Sequence, residues 1–209
     1  MKKERILTER EKQRKQAFEE KAEKLISEGY TREDLVVGVV RANIYAVVIM
    51  APFAAVLAWL WVAAGSGGAR LLSLFELGAF LVLMLALLVL HEAIHGIVWG
   101  VFAENHRKDI EFGVIWSMLT PYCTCKSALT RPQYILGSLM PTLLLGFGLG
   151  AAAVAAGNLL LFFLAEVMVF GGGGDFLIVG KLLAFRTNHK NCIYMDHPTE
   201  CGLVAFCKE

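Results

Sequence analysis

The sequence predicts an all-α membrane protein: four transmembrane helices, with a short β-hairpin in the loop between helices two and three. Three observations carry this. Of the 209 residues, 56% are hydrophobic, whereas soluble domains carry about 45–50%. The excess is uneven, because residues 1–42 are densely charged and most of the remainder is apolar. Four apolar segments follow, each exceeding the ~20 residues that cross hydrocarbon.

Taken in order, residues 4–28 interleave Lys, Arg and Glu with a thin apolar set: Ile6, Leu7, Ala17, Phe18, Leu25 and Ile26. They read as a charged helix, solvated or on a membrane surface. Thr31 with Asp34 three residues on fits a second helix start, Asp standing for the usual Glu of a capping box. The apolar segments cover residues 44–64, 71–102, 134–156 and 159–184. Gly65-Ser66-Gly67-Gly68 makes a turn between the first two and Gly157-Asn158 a tighter one between the last two, so these neighbours run antiparallel. Between spans two and three, Ile110, Phe112, Val114 and Trp116 alternate with Glu111, Gly113, Ile115 and Ser117. That is the period of a strand, and residues 121–126 are its expected partner. Such a hairpin either caps the bundle or offers an edge to an extended peptide.

The chain thus divides into a charged N-terminal helical segment (1–42), a four-span membrane domain (43–185) and a tail (186–209). Basic residues set the orientation. Eleven Lys and Arg lie from Lys2 to Arg41, the long loop adds Arg107, Lys108, Lys126 and Arg131, and the tail adds Arg186, Lys190 and Lys208. The Gly-rich turn carries only Arg70. Both termini and the long loop are therefore expected on the cytoplasmic side of the inner membrane. The N-terminus lacks the short apolar core of a secretory leader, so the first apolar segment reads as a retained anchor. A net charge of +1 provides no field for nucleic acid. The five cysteines, an odd count, argue against a disulfide framework, and on the cytoplasmic side thiols stay reduced.

His91-Glu92-Ala93-Ile94-His95 follows the unbroken apolar run 77–90. Three ionisable groups at membrane depth are costly and mark a functional site; a polar knot between helices is the bland alternative. One helical turn separates His91 from His95, so both imidazoles can reach one cation. Glu92 points about 100° away, placed to serve as a base without being a ligand. A catalytic zinc site takes three protein ligands. The soluble zincin extension fails here, since positions 98 and 101 are Val98 and Val101. Asp175, within Gly171-Gly172-Gly173-Gly174-Asp175, is the favoured third ligand. It precedes Lys181 by six residues, about 9 Å of helix; His95 precedes Glu104 by nine, about 13 Å, so the two lie at similar depth. Glu166 is the rival, with His106, Asp196 and His197 behind it. The glycines loosen the helix and admit close backbone approach. Pro141 removes an N–H and frees the carbonyl of Gly137; the expected consequence is a kink.

A membrane-embedded His-Glu-x-x-His followed by an Asp in a later span resembles the site-2 protease group of intramembrane zinc proteases. More closely, the chain is similar to a bacterial family of small membrane proteins described as zincin peptidases. The matching features are His91 to Gly96, Pro121-Tyr122, Gly174-Asp175, Asp196-His197-Pro198 and Gly202. The resemblance implies zinc on His91, His95 and Asp175, Glu92 as catalytic base, and a peptide or membrane-protein substrate cut in or near the lipid. Gly173-Gly174-Asp175-Phe176 departs from the Asn-Pro-Asp-Gly type of site-2 proteases. The alternatives to a zinc endopeptidase are a metal site with a structural or sensing role and, less well supported, an ion transporter.

Overall fold

The structure is a computed structural model that describes residues 8–66, 71–115 and 120–209. The expected Trp116 and Ser117 strand positions, the second half of the Gly-rich turn, Ile6 and Leu7 lie outside these residues. Helix α1 (Glu9–Ser27) is followed by strand β1 (Thr31–Val37) and helices α2 (Val39–Ala63) and α3 (Leu74–Phe102). Strands β2 (Ile110–Ile115) and β3 (Thr120–Cys125) come next. Helix α4 (Arg131–Pro141) runs through a π-helical stretch, Thr142–Gly148, into α5 (Leu149–Ala156). Helices α6 (Leu159–Gly171) and α7 (Gly173–Ala184) precede strands β4 (Asn191–Asp196) and β5 (Cys201–Lys208).

Among the described residues, four helical stretches are long and apolar enough to cross a membrane: Val39–Ala63, Leu74–Phe102, Arg131–Ala156 and Leu159–Ala184. Their ends are set locally. The Ser73 side chain accepts the Glu76 N–H while Glu76 reaches back to the Ser73 N–H, a reciprocal cap for α3. Asn158 caps α6 through Leu161 N–H at 3.1 Å, after Gly157 turns the chain at φ 59°. The outer surface is apolar: Val40 is 74% exposed and Val89 69%. An unbroken surface of this kind belongs against lipid. Inside, Met50, Leu57, Trp61, Phe162 and Val169 form the bundle core.

The strands among the described residues lie at one end of the bundle, the end reached by the N-terminus of α2, the C-termini of α3 and α7 and the start of α4. β2 and β3 pair antiparallel, Phe112 opposite Cys123, as the alternation predicts. The second sheet is a correction to the sequence reading. Thr31 to Val37 is not a helix start but a strand, paired with β5 from Thr31↔Cys207 to Val37↔Cys201. Asp34 caps nothing; Arg32 holds its carboxylate at 2.9 Å. The physical reason is a partner 170 residues away in sequence, invisible to local pattern. The tail is likewise structured, with β5 between β1 and β4. Leu203, Ala205 and Cys207 pack with Trp99, Tyr134 and Leu182 at this end of the helices, and Val204 and Phe206 face Phe18 and Ala22 of α1.

The same register corrects the expectation about thiols. Cys192 and Cys207 stand opposite one another in β4 and β5, their Cα atoms 4.2 Å apart, and form a disulfide. Cys123, Cys125 and Cys201 are free. Burial pushes the Cys123 thiol far up and the Cys125 thiol up to about 12, so neither is a nucleophile at neutral pH.

Candidate metal centre

His91 and His95 sit on α3 where that helix turns inward, 7% and 4% exposed, in a helix whose first four turns are largely exposed. Asp175 lies in the first turn of α7, where the helix N-terminus favours a negative charge. The break between α6 and α7 falls at Gly172. A Cβ there would stand 1.7 Å from Thr142 Oγ1, and one on Gly173 2.7 Å from the Ala46 Cβ. These two glycines let the helix break press against the π-helical stretch and α2. Gly171 and Gly174 face open space.

The fold brings the three side chains together. His91 Nε2 is 3.3 Å from Asp175 Oδ2, and His95 Nε2 is 3.4 Å from Asp175 Oδ1. One ligand atom from each residue lies within 4.8 Å of the others, and this is the one such trio among the described residues. Ligands at about 2.0–2.1 Å from a tetrahedral zinc are about 3.3 Å apart, so both separations match an edge of that polyhedron. The hydrogen bonding points the same way. His95 Nδ1 is 2.8 Å from the carbonyl of Gly137, an acceptor, so Nδ1 carries the proton. In the neutral ring Nε2 then turns a lone pair on a carboxylate oxygen. A cation between the two relieves that pairing; without one, a ring protonated at both nitrogens would donate to the carboxylate instead. Two imidazoles and a carboxylate are the donor set of a three-ligand zinc site.

Glu92 stands outside the trio. Its carboxylate meets the backbone N–H of Cys123 in β3, which holds the hairpin against α3. Gly96 makes that contact close, since a Cβ there would be 2.5 Å from the Phe112 ring. Around the trio, the His95 ring stacks on Trp99 at 5.0 Å and 16°, and the Trp99 ring meets that of Tyr134 at 5.6 Å. The Tyr134 hydroxyl donates to Asp196 Oδ1 and the Cys125 N–H to Oδ2. Of this layer the sequence singled out Asp196, as a candidate ligand, and the free carbonyl of Gly137; it missed Trp99 and Tyr134.

The rival ligands are elsewhere. Glu166 lines an apolar groove with Leu77, Phe80 and Phe163. The His106 ring meets the carbonyl of Gly100 at 3.2 Å. His197 Nδ1 accepts from the N–H of Thr199 and Glu200. Asp196 is held as described, and burial pushes its carboxyl up despite those two hydrogen bonds.

The fold and this cluster define a multi-span membrane protein with a His–His–Asp constellation beside a glutamate. Residues 84–190, about half of the chain, match the family described as "Putative zincin peptidase", and the chain belongs to that family. No curated protein and no solved structure matches it.

Proposed function

We propose that this protein is a zinc-dependent endopeptidase, resembling site-2 proteases, that hydrolyses peptide bonds in or near the membrane. The observation that carries the reading is the 3.3 and 3.4 Å spacing of two imidazole nitrogens and one carboxylate. His91, His95 and Asp175 would hold the ion. When bound, zinc acts as a Lewis acid toward a carbonyl and lowers the pKa of water towards ~7. Glu92 would take the proton from the attacking water and pass it to the leaving amine. β3 turns the backbone of Cys123 away from β2 and toward Glu92, and its next outward N–H, that of Cys125, is taken by Asp196, so this edge would position the base rather than pair with a peptide. Three protein ligands support a catalytic site over a structural one, which four would close. The basic residues support an inner-membrane protein with both termini in the cytoplasm; the Cys192–Cys207 disulfide in the tail stands against that side.

Metal analysis of the purified protein tests the centre. One zinc per chain is expected in the wild type and in Glu92→Gln, and none in His91→Ala or Asp175→Ala. New N-termini in membrane proteins of cells carrying the wild type should be missing with Glu92→Gln. Full zinc in both ligand variants removes the site; equal cleavage with Glu92→Gln removes the base.

A further inference from the structure

We propose that Pro141 is a positioning residue. By denying the carbonyl of Gly137 its helical donor, it commits that carbonyl to His95 and so aims the opposite ring nitrogen at the ion. The proposal rests on the zinc reading of the site.

In an α-helix the carbonyl of residue 137 accepts the N–H of residue 141. Proline has none. The next N–H, that of Thr142, goes instead to the carbonyl of Leu139, and a π-helical stretch follows. The Gly137 carbonyl is left without its helical donor at a depth where water is scarce, and a polar group there must find a partner. Its partner is His95 Nδ1, at 2.8 Å, with both groups buried. A carbonyl with its helical donor in place points along the axis; one released from it can tilt outward, here from α4 toward α3.

The residue that bears the carbonyl matters as well. A Cβ on Gly137 would stand 2.0 Å from Trp99 Nε1. Without one, the Trp99 indole seats itself over α4, its N–H 3.3 Å from the carbonyl of Tyr134, and stacks nearly parallel to the His95 ring. Stacking sets the plane of the imidazole. The carbonyl sets its rotation in that plane and its tautomer. With both fixed, Nε2 faces Asp175 Oδ1. A ligating histidine is ordinarily oriented in this way by a second acceptor; here a proline one helical turn away releases that acceptor.

The test compares three full-length chains in bilayers: wild type, Pro141→Ala, and a chain with lactic acid at 141. The alanine restores the backbone N–H. The lactate removes it again, as an ester, without the proline ring. Zinc affinity is read by competition with a chromophoric chelator. Pro141→Ala should bind zinc about 10–100-fold more weakly, the usual cost of losing a ligand's second partner. The lactate chain should return to the wild-type affinity. Unchanged affinity in Pro141→Ala overturns the proposal, as does a lactate chain weaker than wild type, which would assign the effect to the ring. The lactate result decides alone if the alanine variant fails to fold. A wild type that binds no zinc fails at the earlier step and takes both readings with it.

Discussion

Asp109 is 7% exposed, at the end of the short turn that leads from α3 into the hairpin. Burial pushes its carboxyl up. The Ser127 hydroxyl, the Asn105 N–H and the Asn105 amide, all donating to it, outweigh that and hold it below the ordinary aspartate value. The Ser127 hydroxyl also accepts the Glu104 N–H at 3.0 Å, so this one acid ties the exit of α3 to the approach to α4. A carboxyl whose folded pKa is depressed stabilises the fold above its unfolded pKa, about 4, and that contribution is lost as pH falls through the folded value. Asp109→Asn should cost about 1–3 kcal/mol at pH 7. The gap to the wild type should shrink as the solution is acidified to well below pH 4, read as urea midpoints at each pH. A gap that stays constant would assign the cost to shape rather than charge.

At the scale of elements, the contact that orients the site is α3 against α4, and Gly137 permits it. Gly137→Ala should cost about 1–3 kcal/mol, the range for overpacking a filled contact, and should move the fluorescence of the protein as Trp99 is displaced. Gly174→Ala is the control. Its Cβ meets nothing within 4 Å, and alanine improves a helix by about 0.5–1 kcal/mol. If both variants unfold alike, the Trp99 seat is not what Gly137 provides. The elements also divide by how far the sequence reveals them. Hydropathy locates the four spans to within a few residues at most ends, because lipid demands uninterrupted apolar runs. The β2–β3 hairpin is legible in its alternation because its two strands are neighbours. β1 is not: Thr31 and Asp34 spell a helix cap locally, and only the backbone of β5 overrules them. Helix pitch alone puts His91 and His95 on one face and Asp175 at similar depth. The partner of the Gly137 carbonyl depends on how α3 and α4 are rotated against each other, which pitch does not encode.

At the scale of the whole molecule, the two ends of the chain are joined through a sheet at one end of the bundle. β5 is its central strand, and Leu203, Val204, Ala205 and Phe206 have no exposed surface. Lys181, near the end of the last span, donates to the carbonyl of Val36 in β1 at 2.6 Å, so the sheet is also fastened to the helix that carries Asp175. Fully burying Leu, Val and Phe side chains contributes about 1.5–3 kcal/mol each. Three of them approach the whole net stability of a small domain, about 5–15 kcal/mol. Removing residues 201–209 should therefore unfold the sheet and release α1, which packs on it through Phe18 and Ala22. The bundle core of Met50, Leu57, Trp61, Phe162 and Val169 does not touch that strand and should persist. Limited proteolysis of the truncated chain should cut between α1 and α2 at protease levels the full chain resists, while far-UV circular dichroism keeps most of its helical signal. Equal resistance in the two chains would show that α1 and β1 hold to the bundle without β5. A collapse of the helical signal would show that the sheet and the bundle fold as one unit.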